Sequence, residues 1–146
     1  MTLSINTNQI KFEIAENKNL HYSSDIYSII DTLGEYGFEF ILDDYGTGYS
    51  NLERFAKLPI KYVKVDRGLV KLSNQNQIND ALKTTFNMIH ELDRISVVEG
   101  IESLDDLNKF RNYNCNYAQG SYLSNVLPEN EFLDFIKDKI DNPLVV

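Results

Sequence analysis

Acidic and amide side chains recur through this sequence at the ends of short apolar runs. Glu13 and Glu16 stand at or just past the end of "IKFEI", Asp43 and Asp44 follow "FEFIL", Lys64 and Asp66 finish "KYVKV", Glu99 and Glu102 follow "RISVV", and Gln119 closes "CNYAQ". Carboxylates brought within a few ångströms of one another repel and resist ionisation unless a divalent cation offsets their charge. An oxygen-only donor set suits Mg²⁺ or Mn²⁺ rather than zinc. Cys115 is the single cysteine, and His21 and His90 lie apart from these runs, as a loop residue and a helix-surface residue, so no softer cluster is available. Each piece also has a plain reading. An Asp-Asp pair before glycine is by itself a turn signal. Lys64 and Asp66 sit on one face of a strand and can pair with each other or with water. Glu99 and Glu102 can simply flank a helix start. The "GTG" of residues 46–48 reads as a tight turn and lacks the Lys and Ser/Thr of a phosphate-binding loop. Repetition at equivalent places is what favours a metal-centred site over scattered surface charge.

Those equivalent places follow from the elements that must carry them. Residues 10–14, 38–42, 61–65, 94–98 and, more weakly, 115–119 read as strands. Between them, residues 24–36 put Ile26, Ile29, Ile30 and Leu33 on one helical stripe, and residues 78–92 do so with Ile78, Leu82, Phe86, Ile89 and Leu92. Ser50 with Glu53, and Ser103 with Asp106, fit the capping box that satisfies free amide donors at a helix start. Pro128 suits the opening of a last amphipathic helix bearing Phe132, Phe135 and Ile136. This makes five β-α units, hence an α/β fold of parallel strands with helical crossovers, as in a barrel or an open doubly wound sheet. In either fold the C-terminal strand ends share one face, so the polar residues above should converge there.

Composition bounds the partners. With 146 residues, 42% of them hydrophobic, the chain suits one domain spanning 1–146. Its net charge of −8 argues against a nucleic-acid polymer as partner and requires a cation wherever an anionic ligand binds. No internal disulfide can form, no segment approaches the roughly 20 apolar residues of a membrane span, and "MTLSINTNQI" lacks the character of a signal peptide. A cytoplasmic setting is the expectation.

Five ordered motifs carry a family resemblance: "FEIAE" (12–16), "LDDYGTGYSNL" (42–52), "LPIKYVKVDRGLV" (58–70), "VVEGIES" (97–103) and "QGSYLSNVLP" (119–128). Together they resemble the successive motifs of the EAL domain family, bacterial phosphodiesterases that act in signalling on the second messenger cyclic di-GMP. The resemblance implies a modified TIM-like (β/α) barrel that uses Mg²⁺ or Mn²⁺ to hydrolyse cyclic di-GMP to linear pGpG. By resemblance, Asp43 corresponds to a carboxylate shared by two metals, Asp44 to a ligand of the second and Glu13 to a ligand of the first. Lys64 matches a lysine that contacts the attacking water or the phosphate, and Glu99 a glutamate with an acid/base role. Asp66, Glu102 and Gln119 match further polar residues near the metals and water, and Glu16 a glutamate that braces the loop after the Asp pair.

Departures from the family pattern are as informative. The name-giving Glu-Ala-Leu on an early strand, and an asparagine on a later one, have no convincing counterpart. Asn6 lies seven residues before Glu13, too close for a parallel crossover, so "NTNQ" reads as a loop leading into a strand. Five units in 146 residues average about 29 each, and a barrel of eight, typically about 250 residues, needs about three more. The chain therefore reads as the C-terminal part of such a domain, lacking the N-terminal units. Tyr45 stands where phenylalanine is usual, Val98 where alanine is, and Asn125-Val126 where Arg-Pro is. An unclosed barrel exposes two strand edges and invites a complementing chain or a second copy to cover them. Three readings stay open: a phosphodiesterase portion inactive alone, a degenerate domain that binds cyclic di-GMP or a protein partner without hydrolysis, and an interaction protein with leftover carboxylates.

Overall fold

The computed structural model describes residues 6–15, 24–46 and 52–141. Strands β1 (Lys11–Ala15), β2 (Glu39–Tyr45), β3 (Ile60–Val65), β4 (Ile95–Glu99) and β5 (Tyr117–Gln119) form one sheet in that order, and every neighbouring pair is parallel. Helices α1 (Ser24–Glu35), α2 (Leu52–Lys57), α3 (Arg67–Leu72), α4 (Asn76–Glu91) and α5 (Leu104–Arg111) lie between them in the chain, and α6 (Glu129–Asp141) follows β5. A doubly wound sheet reverses its strand order at a switch point, whereas a barrel wall adds each strand beside the last. The unbroken order is that of a barrel arc. No helix among the described residues is long and apolar enough to cross a membrane.

Alternation within the strands separates two faces. In β4, Ser96 and Val98 are wholly buried while Ile95, Val97 and Glu99 are half-buried. The buried set joins Phe40, Leu42, Val63 and Val65 in a core with Leu82, Phe86 and Ile89 of α4 and Leu107 and Phe110 of α5. Ring centroids of Phe86 and Phe110 lie 5.7 Å apart, and those of Phe110 and Tyr113 lie 5.6 Å apart, edge to face. The opposite face carries the charged residues and remains partly open.

Helix boundaries follow the local chemistry. Ser103 Oγ accepts from the Asp106 amide at 3.1 Å, and Asp106 Oδ2 accepts from the Ser103 hydroxyl at 2.7 Å. α6 starts one residue after Pro128, whose carbonyl accepts from Phe132 N at 2.9 Å. Asn6 precedes a short 3-10 turn, Thr7–Gln9, that leads into β1.

The structure differs from the sequence pattern in four places. β2 runs on through Asp43 and Asp44 instead of stopping before them, β5 begins only at Tyr117, α3 is an additional short helix, and α6 leaves Phe132, Leu133, Ile136 and Ile140 exposed. The capping role of Ser50 and Glu53, the loop reading of His21 and the "GTG" turn beyond Gly46 lie outside the described residues and side chains. His90 is half-buried rather than a surface residue, with Nε2 3.3 Å from Asn116 Oδ1. Among the described residues β1 and β5 each have one strand neighbour, so the arc of described strands is open at both ends.

Candidate active site

Strand register decides which polar groups meet. Lys64 is paired with Val97, and Glu99, two residues further along β4, projects to the same face as Val97. On the other side, Ala15 is paired with Asp43, which puts Glu13 and Asp43 on one face as well. Four adjacent strands thus bring Glu13, Asp43, Lys64 and Glu99 together. The Lys64 ammonium lies 2.8 Å from Glu99 Oε1, 3.0 Å from Asp43 Oδ1 and 3.2 Å from Glu13 Oε1.

This cluster is only partly open to water. The Lys64 side chain is 14% exposed, with Glu99 at 19%, Asp43 at 21% and Glu13 at 51%. Burial alone would lower the Lys64 pKa, but the contacts with Glu99, Asp43 and Glu13 outweigh it and hold the group well above the ordinary lysine value. Asp43 Oδ1 is closed off from solvent and, apart from its charge contact with Lys64, accepts no well-directed hydrogen bond. A carboxylate oxygen closed off in this way is costly without a cation, and here the Lys64 ammonium supplies it at 3.0 Å.

Why two aspartates stand side by side is answered by a bulge. Leu42 pairs with Val63 and Tyr45 with Val65, so three steps of β2 oppose two of β3. Asp44 absorbs the extra residue with φ of 57°, a left-handed conformation that aspartate tolerates better than most residues. An ideal pleat would send neighbours to opposite faces. Here Asp43 reaches Lys64, while Asp44 lines a cleft of about 420 Å³ with Asp66, Arg67, Glu99 and Gln119, beside Gly100 and Gly120.

The remaining residues singled out from the sequence divide. Asp66 is the N-cap of α3, its Oδ1 accepting from Gly68 N at 2.7 Å, so its carboxylate is committed to the backbone and not to Lys64. Gln119 lines the cleft, and its carbonyl accepts from Ile101 N at 3.1 Å. Glu102 is not brought into the cleft: it lies 3.5 Å from Lys71, with both side chains 60% exposed. Glu16 lies outside the described residues. Sequence reasoning missed Arg67, which lines the same cleft and is signalled only as a basic residue directly after Asp66.

The donor set fits a hard divalent cation in chemistry: oxygen ligands and excess negative charge. Among the described residues, however, no group of three or more Asp, Glu, His or Cys is arranged around a common metal position. Glu13, Asp43 and Glu99 close instead around the Lys64 ammonium, which supplies one positive charge where three negative ones meet.

The family model of the EAL domain matches residues 3–126. The oxygen sensor protein DosP of Escherichia coli is 29% identical over 87% of this chain and 16% of its own length. The cyclic di-GMP phosphodiesterase RocR of Pseudomonas aeruginosa is 29% identical over 86% of this chain and 32% of its own. The solved structure of the PaMucR phosphodiesterase in complex with c-di-GMP superposes with a TM-score of 0.80 at 25% identity, over 88% of this chain and 53% of that one. The chain thus spans a third or less of these two curated relatives.

Proposed function

We propose, from the premise that this chain belongs to the EAL domain family, that it is the part of a cyclic di-GMP phosphodiesterase that carries the Asp43-Asp44 bulge and the Lys64 cluster. The observation that carries this reading is the meeting of Glu13, Asp43 and Glu99, from three different strands, on Lys64 within 3.2 Å. Glu13, Asp43 and Asp44 would hold Mg²⁺ or Mn²⁺, in a two-metal site once the barrel is complete. Such ions, when bound, activate water and offset charge on the phosphodiester oxygens. Lys64 positions the attacking water or a phosphate oxygen with its ammonium, and Glu99 beside it carries the proton exchanged during hydrolysis to pGpG. Asp66 acts by fixing the start of α3, and Gln119 contributes a neutral amide to the cleft. The setting proposed is the bacterial cytoplasm.

The same reading holds that these 146 residues do not suffice for catalysis. β1 and β5 need neighbours, supplied by sequence joined to this chain, by a complementing polypeptide or by a second copy. A second reading, non-catalytic binding of cyclic di-GMP or a protein partner, is favoured by one observation: among the described residues no metal-ligand group is assembled.

Calorimetry of cyclic di-GMP with the 146-residue chain, with and without Mn²⁺, separates these readings. Expected are Mn²⁺-dependent binding, its loss in Asp43→Asn, and little or no pGpG. Appreciable pGpG formation would show that the ligand set is sufficient without further units. Binding that ignores Mn²⁺ and Asp43→Asn would favour the non-catalytic reading, and no binding at all would leave an interaction protein.

A further inference from the structure

The cleft that faces the proposed chemistry is lined by three carboxylates, Asp44, Asp66 and Glu99, and by one cation, Arg67. Glu99 is paired with Lys64, and Asp66 is engaged by the Gly68 amide. Arg67 nevertheless forms no ion pair or ring contact among the described residues, and it is exposed. An arginine left unpaired beside carboxylates keeps its five donors available to an incoming anion.

Its position is built rather than incidental. Gly100 ends β4 with φ of +76°, and a Cβ there would stand 2.4 Å from Arg67 Cβ and 3.3 Å from its Cα. Only a residue without a side chain lets the first residue of α3 lie against the end of β4. On the other side Asp66, through Gly68 N, fixes the turn that carries Arg67.

We infer that Arg67 is a substrate-binding residue that grips a phosphodiester of the nucleotide and so allows an anion to enter an acidic cleft. This rests on the phosphodiesterase reading above and adds to it a residue that sets affinity. The guanidinium presents a planar fork that matches two phosphate oxygens, which an ammonium cannot reproduce. Without it, the ligand's charge would face Asp44, Asp66 and Glu99 across the cleft.

The test is calorimetry of cyclic di-GMP in Mn²⁺ with the full chain, Arg67→Gln and Arg67→Lys, beside a titration of each with Mn²⁺ alone. Expected is a loss of nucleotide affinity of about tenfold or more in Arg67→Gln, an intermediate loss in Arg67→Lys, and unchanged Mn²⁺ affinity in both. Arg67→Gln binding the nucleotide as tightly as the parent overturns the inference and leaves the phosphodiesterase reading standing. A drop in Mn²⁺ affinity parallel to the nucleotide loss also overturns it, since Arg67 would then act through the metal site. A parent chain that binds no nucleotide overturns both.

Discussion

Lys64→Met should lower stability by about 1–3 kcal/mol at pH 7. Removing one partner from a buried ion cluster costs about 3–5 kcal/mol, because the groups left behind remain desolvated and unpaired. Here the cluster is partly open, with Glu13 half exposed, and solvent screening reduces the figure. Methionine keeps much of the apolar stem and removes the charge, leaving Glu13, Asp43 and Glu99 facing one another. In the parent, Lys64 holds its proton beyond the ordinary lysine range because three carboxylates face it. Its contribution is fully present below the ordinary lysine value of 10.5 and is lost as pH rises through the higher folded value. Urea unfolding of both chains at pH 7, and of the parent as pH is raised past 10.5, measures both effects. Equal stability of parent and variant at pH 7 would mean that the carboxylates do not crowd when the ammonium is removed.

Gly120→Ala should be nearly as damaging, by about 2–3 kcal/mol. A Cβ at this position would stand 2.0 Å from the Ile101 carbonyl oxygen and 2.4 Å from its amide nitrogen. Those atoms are backbone and cannot rotate away, and they are tied by the bonds from Ile101 N to the Gln119 carbonyl and from Tyr122 N to the Ile101 carbonyl. The variant must separate the two segments next to the cleft. Gly34→Ala is the control, since a Cβ there meets nothing closer than Pro59 Cγ at 4.0 Å, within a helix where alanine is preferred. Thermal or urea unfolding should order the proteins as Gly34→Ala at or above the parent, with Gly120→Ala well below. A Gly120→Ala chain of parental stability would show that this contact is not tight in solution.

Much of the architecture was legible because parallel strands covered on one face by helices leave a strong periodic trace. The stripe of Leu82, Phe86 and Ile89 marked α4, and all three are buried against the sheet. The convergence of Glu13, Asp43, Lys64 and Glu99 was legible in outline, since each stands near a strand end and such ends share a mouth. What the pattern could not give was pairing. The bulge at Asp43 and Asp44 exists only relative to Val63 and Val65 of β3, so "FILDDYG" taken alone reads as a strand followed by a turn. Asp66 looked like a polar residue at a strand end, and its cap on α3 became visible only with that short helix. Arg67 carries no strand-end signal of its own, since it stands after Asp66 as the first residue of α3, although the net charge of −8 already requires a cation wherever an anion binds. Glu102 is a suitable residue type close to β4 in the chain, but its side chain is exposed and lies beside Lys71, which strand-end position alone could not foretell.

The most direct test of a cation site at this mouth is titration of the 146-residue chain and of Asp43→Asn with Mn²⁺ alone, followed by water-proton relaxation. Saturable binding by the parent, weakened about tenfold or more in Asp43→Asn, is the expected result. Identical Mn²⁺ binding by the two chains, or none by the parent, would contradict it.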